Sequence, residues 1–92
     1  MHVNVEYAAQ LKRAAGIGSE TVELSAGQTL HDLVLDVARR HGGDLSRLLL
    51  DDTGVLHPSI LLFVGDEQVR GDLNQPLRDR DVVTLLSPIS GG

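Results

Sequence analysis

Cysteine is absent from the 92 residues. No disulfide can form, no thiolate can act as a nucleophile and no thiolate metal site can be built, so any sulfur chemistry must use sulfur supplied from elsewhere. Aromatic residues are nearly as scarce, Tyr7 and Phe63 being the whole set. The core must therefore be built from Leu, Val, Ile and Ala, and the platforms on which nucleic-acid bases stack are missing. Positive charge is in deficit as well, with 8 Lys and Arg against 13 Asp and Glu and a net charge of -5. That balance opposes binding to nucleic acid or to an anionic membrane surface and suits a basic protein partner. No window approaches the ~18 apolar residues of a membrane-spanning helix, and the N-terminus alternates in polarity where a secretory signal would run apolar. A cytoplasmic location is the expectation.

What is present suits one small soluble domain spanning residues 1–92, since 41% hydrophobic and 23% charged residues are ordinary for a globular protein. His2 to Tyr7 alternates, placing Val3, Val5 and Tyr7 on one face of a strand. Ala8 to Ala15 is helix material too short to stand alone, and Gly16-Ile17-Gly18 turns the chain into a second strand over Glu20 to Leu24, antiparallel to the first. Thr29 and Asp32 have the spacing of a capping box, and Leu30, Leu33, Val34, Val37, Ala38 and His41 then form an apolar helical stripe that ends at Gly42-Gly43. Asp44 is placed to cap a shorter helix carrying Leu45, Leu48 and Leu49. Pro58 to Val64 reads as a buried strand, Gly65-Asp66-Glu67 as a tight turn, Gln68 to Arg70 as a short return strand, and Pro76-Leu77 as the start of one helical turn.

About five strands thus share essentially one substantial helix, an α+β arrangement in which only one sheet face is covered. The opposite parity of the third and last strands, Leu61, Phe63 and Leu86, is left either as core or as a surface for a partner, and a register shift of one residue would exchange the two sets.

The polar residues do not assemble into a catalytic or metal site. His2, His31, His41 and His57 are scattered without an i, i+4 pair, so surface and cap roles outweigh metal ligation. Asp51-Asp52-Thr53-Gly54 is a solvated turn before it is a pair of acids. Gly16-Ile17-Gly18 lacks the third glycine and the helix of a phosphate loop, and Ser87 and Ser90 have no base at a definable distance. The chain is expected to be no enzyme, with no catalytic residue of its own.

The closing stretch is different. Val82 to Leu86 has the content of a buried strand, Pro88 cannot donate to a sheet ladder, and a tail over residues 87–92 is expected to leave the fold extended and end in Gly91-Gly92. Two side-chain-free residues can enter a channel too narrow for any other residue, which makes the terminal carboxylate the candidate working group.

Three stretches carry a resemblance. Val3-Asn4-Val5-Glu6-Tyr7-Ala8-Ala9-Gln10-Leu11-Lys12-Arg13-Ala14-Ala15-Gly16, the helix start Gly27-Gln28-Thr29-Leu30-His31-Asp32-Leu33, and Gln75-Pro76-Leu77-Arg78-Asp79-Arg80-Asp81-Val82-Val83, together with the closing diglycine, resemble the β-grasp sulfur carriers. That family includes the molybdopterin synthase small subunit and the thiamine-pathway sulfur carrier, and shares the ubiquitin fold. Arg80 stands where the family commonly has glycine, Gly65-Asp66 replaces an Asn-Gly-like turn, and Ser87-Pro88-Ile89-Ser90 varies its proline-rich tail. The resemblance implies a β-grasp fold and a carrier in which an E1-like enzyme, using ATP, adenylates Gly92. A sulfur donor then displaces AMP to leave a thiocarboxylate. In the molybdopterin branch Pro88, Ile89, Ser90 and Gly91 would enter the large synthase subunit with Gly92, while Leu61, Phe63 and Leu86 would face the partner. No cofactor or metal is implied for the chain itself. Two other roles remain open: a ubiquitin-like modifier joined to lysines through Gly92, and a noncatalytic interaction domain.

Overall fold

The alternation at the N-terminus becomes strand β1 (His2–Ala9), with Val3, Val5 and Tyr7 buried and His2, Asn4 and Glu6 exposed. The computed structural model describes residues 1–87, and within them β1 is followed by α1 (Gln10–Ala15), β2 (Ser19–Glu23), α2 (Leu30–His41), α3 (Gly43–Leu49), β3 (Leu61–Val64), β4 (Glu67–Val69) and β5 (Val82–Ser87). The strands form one mixed sheet in the order β2-β1-β5-β3-β4. β1 pairs antiparallel with β2 and parallel with β5, and β3 pairs antiparallel with both β4 and β5. A parallel neighbour needs a crossover, and here nearly the whole chain between β1 and β5 serves as one.

The capping box at α2 forms as its spacing requires. The Thr29 amide donates to Asp32 Oδ2 at 2.9 Å and the Asp32 amide donates to Thr29 Oγ1 at 3.2 Å, so aspartate replaces the usual longer acid. The bonds from Thr29 hold the Asp32 carboxyl below the ordinary aspartate range. Leu30, Leu33, Val34, Val37 and Ala38 are buried, and with Leu11 of α1 and Leu45 and Leu49 of α3 they cover the sheet face made by Val3, Val5, Tyr7, Val22, Leu62, Val83 and Leu85.

Several expectations are corrected by tertiary pairing. Ala8 and Ala9 continue β1 instead of opening α1, because their backbones align with Leu86 and Ser87 of β5, and sheet pairing outweighs alanine's helix preference. The turn into α1 puts Ala9 at φ 55° and ψ -127°. Asp44 is not a cap: Gly42 holds that position without a side-chain bond, and Asp44 pairs with Arg47 one turn on. β3 starts at Leu61 and not at Pro58, because the Ser59 and Ile60 amides donate to His57 Nδ1 at 3.2 Å and to the His57 carbonyl at 3.0 Å and close a local turn instead. No helical turn opens at Pro76-Leu77. The segment bridges the start of α2, Pro76 lying opposite Thr29 and the Leu77 amide donating to the Gln28 carbonyl at 3.3 Å, with Leu77 buried beneath. Ser87 belongs to β5, paired with Ala9 and buried, so it is no part of a tail.

The departure at Arg80 has a structural counterpart. Its φ is 72°, in the region where glycine is free of strain, while its amide donates to the His2 carbonyl at 2.6 Å to lead into β5. The side chain is 92% exposed and lies 4.0 Å from Asp79, too loose and too solvated to compensate. Replacing Arg80 by glycine is expected to stabilise the fold by about 0.5–1 kcal/mol, after the greater unfolded-state freedom of glycine is subtracted from the relieved strain. In thermal unfolding that is a rise of several degrees, and a fall would show that the left-handed backbone here carries no strain.

Candidate functional site

β5 is the central strand between β1 and β3, and its side chains alternate cleanly. Val83, Leu85 and Ser87 turn to the core, while Val82, Thr84 and Leu86 are half-exposed on the other face. β3 follows the same division, with Leu62 buried and Leu61 and Phe63 half-exposed. Register then brings the outward set together. Leu86 lies opposite Leu61 on one side and Ala8 on the other, at strand spacings of about 4.8 Å, and Phe63 lies two residues along β3 opposite Thr84. The helices pack on the far face, so this apolar cluster has no cover from them.

Most of the rest of the same face is polar, Val82 excepted. Thr21 Oγ1 donates to Asn4 Oδ1 at 2.9 Å, and Thr84 Oγ1 lies 3.5 Å from Glu6 Oε1. The apolar cluster therefore lies toward the end of the sheet where β5 stops, with Val82 at the other end of that strand. There the Ser87 hydroxyl faces Gln10 Oε1 at 3.5 Å, a long contact that closes the corner between β5 and α1. Of the expected site residues, Leu61, Phe63 and Leu86 are brought together, whereas Pro88, Ile89, Ser90, Gly91 and Gly92 lie outside the described residues. Sequence reasoning missed Ala8 and Gln10. Their place depends on the parallel β1 to β5 pairing, which leaves no periodic mark on either strand.

A second polar cluster joins β1, β2 and the end of α2. Glu20 Oε2 accepts from the Tyr7 hydroxyl at 2.5 Å and meets His41 Nε2 at 2.5 Å, while Arg40 Nη1 lies 3.5 Å from Oε1 and Arg40 Nη2 lies 3.2 Å from Asp36. The imidazole stands edge-on to the phenol ring, with centroids 5.8 Å apart. Burial, reinforced by the hydrogen bond to Glu20, pushes the Tyr7 hydroxyl far above its ordinary range. Burial also acts to raise Glu20, but the hydrogen bonds from Tyr7 and His41 and the nearby positive charges outweigh it, and the carboxyl sits below the ordinary glutamate range. A carboxylate between a phenol and an imidazole has the ingredients of acid-base chemistry. Here the three groups are turned toward one another and line none of the three main clefts, so they act as a polar tie. His41, placed on the apolar stripe from sequence, is half-buried at its edge. Among the described residues no group of three or more His, Asp or Glu is placed to hold a metal ion, and no helix is long and apolar enough to cross a membrane.

Two measurements check this assignment of faces and partners. Leu62→Ala should cost about 2–5 kcal/mol in denaturant unfolding, whereas Phe63→Ala one residue along should cost about 1 kcal/mol or less. The reverse order would mean that the parity is wrong. Glu20→Ala should cost about 2 kcal/mol at neutral pH by leaving Tyr7 and His41 without their acceptor. Because the folded carboxyl is depressed, Glu20's contribution is present above the unfolded value of about 4.3 and is lost as pH falls through the folded value. The gap between wild type and variant should therefore narrow below about pH 4, and a constant gap would rule out an ionised tie.

The family profile of ThiS matches residues 5–92. A molybdopterin synthase sulfur carrier subunit from Chlamydomonas reinhardtii is 28% identical over 92 residues, covering 100% of both chains. Among solved structures, SAMP1 from Haloferax volcanii has a TM-score of 0.86 at 24% identity, covering 100% of each chain, a likeness of fold. Urm1 from Trypanosoma brucei has a TM-score of 0.80 at 27% identity over 99% of this chain and 95% of that one. The helix-covered mixed sheet, the open face beside the end of β5 and the match across nearly the full length agree: the chain belongs to the ThiS family of β-grasp sulfur-carrier proteins.

Proposed function

We propose that this chain carries sulfur on Gly92 for cofactor biosynthesis, with molybdopterin as the favoured destination. The observation that carries the reading is the apolar cluster of Ala8, Leu61, Phe63 and Leu86 beside the end of β5, from which five residues ending in Gly91-Gly92 continue. Five residues reach at most about 17 Å when extended, enough to enter a partner's active site while the sheet face stays on its surface. The 28% identity to a molybdopterin synthase sulfur carrier subunit supports the choice of pathway.

The chemistry requires outside help. A carboxylate repels nucleophiles and has no leaving group, so an E1-like partner joins the Gly92 carboxylate oxygen to the α-phosphorus of ATP and releases pyrophosphate. Hydrosulfide from a sulfur donor then attacks the acyl carbon, the carbon-oxygen bond to AMP breaks, AMP leaves and the sulfur loses its proton, so that a thiocarboxylate remains. This chain binds neither ATP nor metal and supplies no catalytic group. Its own contributions are a docking face and a terminus narrow enough to be threaded. A large synthase subunit is the proposed recipient.

Incubation with the E1-like enzyme, ATP and a sulfur donor should exchange one oxygen for one sulfur at Gly92, read by intact mass and by alkylation of the new sulfur. A chain lacking Gly91 and Gly92 should unfold at the same temperature and take up nothing. An unchanged mass with a competent enzyme would refute the carrier reading, and a glycine-glycine remnant on lysines of other proteins would favour a modifier. Retention of function by the truncated chain would leave only an interaction domain.

A further inference from the structure

A cleft of about 520 Å³ opens between the loop that leads into β3 and the segment that follows β4. Its floor is apolar, built from Leu56, Ile60, Val69 and Leu73, and Val55 stands at its rim with 56% of its surface free. The polar lining is one-sided. His31, His57 and Arg70 are present and no carboxylate is, although acids outnumber bases 13 to 8 in the chain. The neighbouring cleft is mixed, lined by Glu67, Asp72 and Asp81 together with Arg70 and Arg78. β4 thus separates a groove that carries both signs of charge from one whose lining holds Arg70 and two histidines and no carboxylate.

The donors are available. The Arg70 guanidinium makes a bond to Gln68 Oε1 at 3.1 Å, and among the described residues no carboxylate lies within ion-pair distance of it. His57 Nδ1 accepts from the Ser59 amide at 3.2 Å, which leaves Nε2 as the ring's proton-bearing nitrogen. Leu61 lines this cleft and also belongs to the apolar cluster on the sheet face, so the two surfaces are continuous at the end of the sheet where β5 stops.

We propose that this cleft docks a segment of a partner protein in which apolar side chains are flanked by carboxylates. The apolar floor takes the aliphatic side chains, and Arg70, His31 and His57 meet the acids at the rim. Charge complementarity selects this occupant. A basic segment would meet Arg70 and find no carboxylate in the lining. The cleft is therefore a second contact beside the sheet face, one that fixes orientation where the open apolar cluster alone would tolerate several. The inference is independent of the chemistry at Gly92.

The test is an NMR titration of the full ¹⁵N-labelled chain with an acetylated, amidated peptide of alternating Glu and Leu, and with its counterpart carrying Lys for Glu. Saturable amide shifts are expected at residues 55–61 and 68–74 with the acidic peptide and not with the basic one. Arg70→Glu should raise the dissociation constant at least about fivefold, and Arg70→Gln by less, both with unchanged unfolding temperature because the side chain is exposed. No shifts, equal shifts with both peptides, or shifts confined to Phe63, Thr84 and Leu86 would overturn the proposal. Sulfur uptake at Gly92 is read separately by mass, so a chain that takes sulfur normally yet ignores the acidic peptide refutes the cleft and leaves the carrier reading intact.

Discussion

The parallel pairing of β1 with β5 is the contact from which the rest of the architecture follows. It sets the first and last described strands side by side in the middle of the sheet, so every intervening element must wrap around that pair. α2 crosses one face, β2 closes one edge, and the hairpin of β3 and β4 closes the other. The strand that leads to the C-terminus is consequently flanked on both sides, and its core-facing residues Val83 and Leu85 are fully buried.

One covered face entails one uncovered face. With three helices packed on the same side, the outward parity of β3 and β5 has no cover from them, and Leu61, Phe63 and Leu86 lie toward one end of it. The polar residues of β1 and β2 on that face bond among themselves, as Thr21 does to Asn4. Docking specificity can then be written on a small area without endangering the core, because the two side-chain sets are separated by the pleat itself.

Three polar clusters each have a structural task. The Glu20 cluster binds the end of α2 to the sheet, the Thr29 and Asp32 pair starts that helix, and Asp51 gathers the Thr53 and Val55 amides into its turn. The carboxylates of Glu20, Asp32 and Asp51 line neither of the two clefts that flank β4.

Much was already legible in the residues. Strand alternation in Val3, Val5 and Tyr7, the stripe and capping box of α2 and the turn at Gly65 rest on interactions between near neighbours, which local spacing records directly, whereas the outward parity of Leu61, Phe63 and Leu86 was fixed by the sheet register. Other features are non-local. Ala8 and Ala9 became strand because β5 lies beside them, Pro76 and Leu77 stayed extended because Thr29 and Gln28 offered partners, and Glu20 met Tyr7 and His41 from 13 and 21 residues away. Which strands are neighbours is chosen by the burial of the whole apolar set at once, and no short stretch of sequence contains that choice.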